Sequence, residues 1–233
     1  MKNPIICKNC NAENPFYQHI CLNCKSYMRE RVVNIDLWKV VGLLIENPVK
    51  GFSQIIHSEH KNFVSFIIIF AALKLIIDAV FISVAYKNDN ALMNFLPDYL
   101  IFLAVFSLSL YLFSFILNLV DKKINLPTRV KDHFAVNSYA FMPHIFALVF
   151  LLPLELILFG GFLFSYNPSP FQLKSTLAYT FLVFEFLIIA WGVFLTFMAA
   201  YTQSGSRRYS LFVTLSFYLL LSLIIFLFIQ LFL

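Results

Sequence analysis

Beyond residue 62 the chain is a succession of long apolar runs separated by short polar breaks. Five runs, at about 63–86, 98–120, 135–165, 176–202 and 210–233, are each near the roughly 20 residues that carry a helix across a bilayer. The third is the longest and holds Pro143, Pro153 and the pair Gly160-Gly161. It is expected to tilt and kink, or to divide into a short helix and a re-entrant piece. Residues 36–61 follow a different rhythm. Leu37, Val41, Leu44, Ile45, Pro48, Phe52, Ile55 and Ile56 recur at three- and four-residue steps, which predicts one apolar helical face, bent near Pro48. The first 30 residues have neither pattern and hold all four cysteines. The expected architecture is an all-α polytopic membrane protein with five transmembrane helices (63–233), an amphipathic neck (31–62) and a small N-terminal four-cysteine zinc-ribbon head (1–30).

Composition agrees with a membrane protein: 61% of the 233 residues are hydrophobic, 18% aromatic and only 12% charged, and mean hydropathy is +0.81. The net charge of +5 does not point to nucleic acid, because the basic residues lie beside the apolar runs, where they set orientation and meet anionic headgroups. Lys2, Lys8, Lys25, Arg29, Arg31, Lys39, Lys50 and Lys61 precede the first run. Lys122, Lys123, Arg129 and Lys131 fall in the second loop, and Arg207 and Arg208 in the fourth. Against these fourteen, the opposite side carries only Lys87 and Lys174. The positive-inside rule then places the N-terminus in the cytosol and the C-terminus outside. The first residues run into the cysteine module with no apolar core, so no signal peptide is expected. A composition rich in Phe, Ile, Lys and Asn hints at a prokaryotic cytoplasmic membrane.

The cysteines are spaced Cys7-x2-Cys10 and Cys21-x2-Cys24. Two such knuckles aim four thiolates at one metal and complete a tetrahedral site. Zn²⁺ is the natural occupant in a reducing compartment; two disulfides, iron or a redox pair are the alternatives. Four thiolates leave no open position, so the metal is expected to be structural and to supply the head's folding energy. Asn11 and Lys25 follow the knuckles, at the place where glycine often sits, and asparagine tolerates a left-handed backbone.

In the neck, Arg29, Arg31, Trp38, Lys39, Lys50 and Lys61 are candidate contacts to a membrane surface rich in anionic lipid. A neck packed against the spans is the competing expectation. His57 and His60 bracket Glu59 without a third ligand, and they read as solvated interfacial histidines.

Four charges fall within the apolar runs: Lys74, Asp78, Glu155 and Glu185. Each such charge is costly in hydrocarbon unless it pairs or faces the protein interior. The three carboxylates lie about nine residues from the outer ends of their runs, which at about 1.5 Å per residue is one common depth. They form a candidate intramembrane polar site for a cation, proton or lipid headgroup, with Lys74 below it. Interhelical hydrogen bonding that locks the bundle accounts for the same residues.

The chain lacks a His-Glu-x-x-His helix, a phosphate-cradling glycine loop and a Gly-x-Ser-x-Gly turn. Ser107, Ser109 and Ser114 have no matched histidine within the runs, and His144 is expected to be a packed polar group. No enzyme is expected. The segment Ile35-Asp36-Leu37-Trp38 leads through Asn47-Pro48-x3-Phe52-x2-Ile55 into five spans, with Ser138-Tyr139-Ala140-Phe141-Met142-Pro143 opening the third. Over residues 35–230 this resembles bacterial members of the Yip-domain family. That family's eukaryotic members are associated with Rab-type GTPases and secretory traffic, but this chain lacks their Asp-Leu-Tyr-Gly-Pro string. The Arv family, which handles lipids, is similar in joining a cysteine quartet to a membrane domain. The first functional expectation is a non-enzymatic scaffold whose ribbon and basic neck recruit a protein partner. The alternative is lipid or small-solute handling through the intramembrane charges, for which five spans would call for a homo-oligomer.

Overall fold

Each long apolar run forms a helix. The computed structural model describes residues 3–85 and 95–233, so Lys2, Tyr86 and Lys87 lie outside the described residues. Among the described residues, five segments are long and apolar enough to cross a membrane: Val64–Val84, Phe95–Lys123, Val130–Phe164, Ser175–Ser204 and Arg207–Phe232. This is a multi-pass, mostly helical membrane protein with a four-cysteine cluster at its N-terminal end. Its contacts fall into two units. One gathers Met1–Ser65, Ser109–Ala140 and Phe194–Phe217, and the other Phe66–Leu108, Phe141–Val193 and Tyr218–Leu233.

In the first unit, β1 (Ile5–Ile6) pairs antiparallel with β2 (Glu13–Asn14) to carry the first cysteine loop, and an Ile20–Tyr27 bridge carries the second. The neck is two helices, α1 (Leu37–Glu46) and α2 (Pro48–His57), and not one bent helix. Asn47 makes the corner: its N–H closes α1 onto the Leu43 carbonyl at 2.7 Å, and its side chain accepts the Lys50 N–H to cap α2. Pro48 sits in the first turn of α2, where its missing donor costs nothing, so it starts a helix instead of bending one. Gly51 lets the two helices approach; a Cβ there would lie 3.1 Å from Leu44 Cδ2 and 3.2 Å from the Leu44 backbone nitrogen. Val40, Leu44, Phe52, Ile55 and Ile56 are buried, and α2 also packs on α5 (Val130–Tyr139).

The segment that joins the head to α1 is fastened to the end of α2. Val32 bridges Ser58, and the N–H groups of Glu59 and His60 donate to the carbonyls of Val32 and Val33 at 3.0 Å. Asn62 accepts the Ile35 N–H and donates to its carbonyl, and Tyr139 Oη donates to the Asn62 carbonyl. Deeper in the unit, α4 (Phe95–Lys123) supplies Asp121, which is fully buried. It accepts from Thr128 Oγ1 at 2.8 Å, His133 Nε2 at 2.9 Å and the Tyr209 hydroxyl. Tyr209 lies on α10 (Arg207–Phe232), so one carboxylate ties two helices and a loop to α4.

In the second unit, α3 (Val64–Ala85) is the most enclosed of the five spans and presents Ala71, Ala72, Leu75, Ile76 and Ala79 inward. The third span is broken as its prolines require. After α5 come α6 (Met142–Phe146), a π-helical turn at Ala147–Leu151, α7 (Leu152–Phe159) and a 3₁₀ turn at Gly160–Phe164. Pro143 and Pro153 stand in the first turns of α6 and α7, and the wider π turn absorbs the hydrogen bond that Pro153 cannot donate. Gly160 takes φ +55°, a left-handed stop to α7. A short helix, α8 (Pro170–Leu173), leads into α9 (Ser175–Ser204). At Gly192 a Cβ would lie 2.8 Å from the Tyr218 hydroxyl and 3.2 Å from His144 Cε1, so any side chain there would displace one or both rings.

Candidate functional site

The cysteine spacing closes into a single cluster. The four Sγ atoms lie within 4.8 Å of one another, with Cys7–Cys24 and Cys10–Cys21 both 3.6 Å apart. Zinc–sulfur bonds of about 2.3 Å in a tetrahedron place sulfurs about 3.8 Å apart, so the quartet fits one metal ion. The knuckles are built alike. In the first, Cys7 N–H donates to the Ala12 carbonyl and Asn11 N–H to that of Cys7. In the second, Cys21 N–H donates to Ser26 and Lys25 N–H to Cys21. Asn11 and Lys25 have φ of 55° and 59°, the left-handed turn each knuckle requires.

Polar neighbours that the spacing did not reveal orient the sulfurs. Asn14 is fully buried; its amide donates to Cys21 Sγ and its Oδ1 accepts the Leu22 N–H. The Ser26 hydroxyl lies 3.0 Å from Cys24 Sγ and 3.3 Å from Cys7 Sγ. With the Ser26 N–H it holds the Cys24 thiol down at about 5, so this sulfur is disposed to be a thiolate.

The neck residues divide by side-chain direction. Trp38 is 81% exposed, and Lys39, Lys50 and Arg31, which pairs with the half-buried Glu59, are also exposed. Lys61 corrects the expectation of a membrane contact. Its ammonium turns inward, pairs with Asp132 at 2.9 Å and caps the carbonyls of Ile55, Ile56 and Ser58 at the end of α2. The last carbonyls of a helix offer negative potential, which makes this a better place for the ammonium than solvent. Burial lowers the Lys61 pKa to about 8 against the opposing pull of Asp132. Arg29 also turns inward, donating to the carbonyls of Tyr17 and His57. His57 is not solvated: its Nε2 meets the Phe16 carbonyl at 3.2 Å and its ring packs on Phe16. Burial, then Arg29, pushes its pKa down to about 4, whereas His60 is exposed. Arg129 forks onto Asp132 and stands 4.1 Å over the Tyr17 ring, so the head is docked and not hung on a free tether.

The intramembrane charges converge within the second unit. Lys74 is 1% exposed; its ammonium donates to Asp78, one turn along α3, and to Glu185 of α9 at 2.8 Å. Asp78, Glu185 and Glu155 of α7 line one cleft. The rest of its wall is apolar and includes Phe81, Phe159, Phe164, Phe171 and Phe181. Lys174 is turned away, donating to the Leu158 carbonyl at 3.1 Å. Equal depth along three runs was the signal in the sequence, and the packing of α3, α7 and α9 carries it to a common cleft. His144 is buried between the Phe141 ring and Gly192, with Nδ1 lacking a partner among the described residues.

Comparison with protein-family models, with curated proteins and with solved structures gave no significant match to this chain.

Proposed function

We propose that this is a non-enzymatic membrane protein that holds an amphiphile or small solute in the cleft lined by Asp78, Glu155 and Glu185. The observation that carries this reading is the cleft's composition: one end is a charge constellation and the remainder a phenylalanine wall. Concave sites that combine apolar walls with a few convergent polar groups are the form small-molecule sites take, and helices broken by proline and glycine are tolerated where they line a cavity. The head, with zinc in its four thiolates, serves in this reading to brace the first unit, since the Arg29, His57 and Arg129 contacts lock it down. The basic residues of the neck and the second and fourth loops orient that unit to the cytosol, in a prokaryotic cytoplasmic membrane. The test is mass spectrometry of small molecules co-purifying from native membranes. One amphiphile per chain, lost when Ala178→Phe fills the cleft, supports the reading. Bulk lipid alone, unchanged by the substitution, contradicts it.

A scaffold of Yip-domain type is the second reading, favoured by apolar side chains left exposed on the first unit. Ile6, Leu22 and Tyr27 on the head and Trp38 and Ile45 on α1 are more than half exposed, among Lys8, Lys25 and Lys39. Crosslinking in native membranes, wild type against Cys21→Ser/Cys24→Ser, tests it. A protein captured only by the wild type supports a zinc-dependent adaptor, and identical captures count against it.

A further inference from the structure

The geometry points to a ligand with an ammonium group: we propose that Glu155 is the anionic receptor for a hydrophobic amine, whose apolar body lies along the phenylalanine wall. This inference rests on the reading of the cleft as an amphiphile site and names the chemistry it selects.

Three carboxylates share the cleft with a single lysine. Lys74 satisfies Asp78 and Glu185 with two of its three N–H donors. Glu155 has no hydrogen bond or ion pair among the described residues, although it is only 9% exposed. A buried carboxylate without a partner is unfavourable, and it marks the place where an incoming group gains most by arriving. The sign of that group follows from the count. With all groups ionised, three negative charges against one positive leave the cleft short of cations, so an anionic headgroup would be repelled. A neutral apolar guest would seal Glu155 away still unpaired. Calcium and magnesium want six or more oxygens at close range, whereas the wall beyond the carboxylates is carbon. An alkylammonium suits both surfaces. Its N–H donors meet Glu155, its charge is favoured near aromatic faces, and its methylenes cover Phe81, Phe159, Phe171 and Phe181. Phe159 and Phe181 stand 6.2 Å apart edge to face, and Phe81 and Phe171 6.4 Å apart.

The test uses the full chain in phosphatidylcholine nanodiscs and equal-length probes, dodecylamine and dodecanol, with bound ligand counted by native mass spectrometry. The expected result is one retained dodecylamine, with at least ten-fold preference over dodecanol, and loss of that preference in Glu155→Gln at unchanged zinc content. Equal retention of amine and alcohol by the wild type overturns the ammonium assignment while leaving an amphiphile cleft standing; retention of neither removes both. An unchanged preference in Glu155→Gln also overturns it. If that variant does not fold, the amine-to-alcohol ratio of the wild type still decides. Adding phosphatidylethanolamine separates the sources of the chemistry. Displacement of dodecylamine assigns the site to an amino-lipid, and undiminished retention assigns it to a free hydrophobic amine.

Discussion

The two units bury charge in opposite ways. In the first, each buried ion has answered partners: Asp121 accepts from three donors, and Asp132 is held by both Lys61 and Arg129. In the second, Lys74 answers two carboxylates and Glu155 is left over, facing space. Moving a charge from water into low dielectric costs several kcal/mol unless it is paired and hydrogen-bonded. The first arrangement therefore fixes a structure, and the second holds a demand that the protein itself does not meet. Residue type is the same in both. What differs is the number of opposite charges and whether there is room beside them.

Substitutions in the head and at the buried ions test that contrast. The largest effect is expected from the head, where a metal ion held by the four thiolates would supply on the order of 10 kcal/mol. Cys21→Ser should release zinc and unfold residues 4–27 while the five spans stay inserted. Hydrogen exchange with zinc analysis checks this, and stoichiometric zinc in the purified variant would refute it. Next come the lysines. Lys61→Met leaves Asp132 with Arg129, and Lys74→Met leaves Asp78 and Glu185 with no cation, so the second change should destabilise more, by about 3–5 kcal/mol. Denaturant unfolding in mild detergent ranks the two, and equal losses would mean the units bury charge alike.

A pH effect of smaller size is expected at His57. Its pKa is about 4 in the docked state against an ordinary value near 6.5. The undocked form therefore binds the proton first, so docking is fully stable above about pH 6.5 and weakens as pH falls through about 4. The protection factors of the Phe16 and Tyr17 amides, which correct for the slower intrinsic exchange in acid, should fall by roughly an order of magnitude from pH 7 to pH 5 at constant zinc, and His57→Gln should flatten that slope. The smallest effect is expected at Lys25. Its left-handed φ of 59° favours glycine, so Lys25→Gly should be neutral or stabilising by up to about 1 kcal/mol, read from the zinc-release midpoint. A clear loss of stability there would show that the Lys25 side chain holds the knuckle.

The parts of this structure that were legible in the sequence are those set by spacing. Cysteines two apart, twice, define a four-sulfur cluster, and apolar runs of spanning length define five helices. Side-chain direction was not legible. Lys61 and Lys50 both look like interfacial cations, yet one ends a helix beside Asp132 and the other is exposed. Pro48 reads as a bend in one amphipathic helix, because periodicity runs through it. Asn47 capping both sides makes it a corner, and that depends on backbone geometry no period records. His57 beside His60 resembles a solvated pair until Phe16 covers one of them. Asp121, next to Lys122-Lys123, looks like a surface charge, and only the fold brings His133 and Tyr209 to it. The cleft lay between these extremes: common depth brought Asp78, Glu155 and Glu185 into view, but which of them lacks a partner is a property of packing.

The most direct measurement pairs Glu155→Gln with Asp132→Asn and compares their unfolding free energies with wild type in the absence of added ligand. Asp132→Asn should lose about 3 kcal/mol, because Lys61 is then left buried without its counter-ion. Glu155→Gln should lose nothing or gain about 1 kcal/mol, because it removes a carboxylate that no protein group answers. A loss in Glu155→Gln as large as that in Asp132→Asn would contradict the account, since Glu155 would then be a structural ion and not one kept open for a ligand.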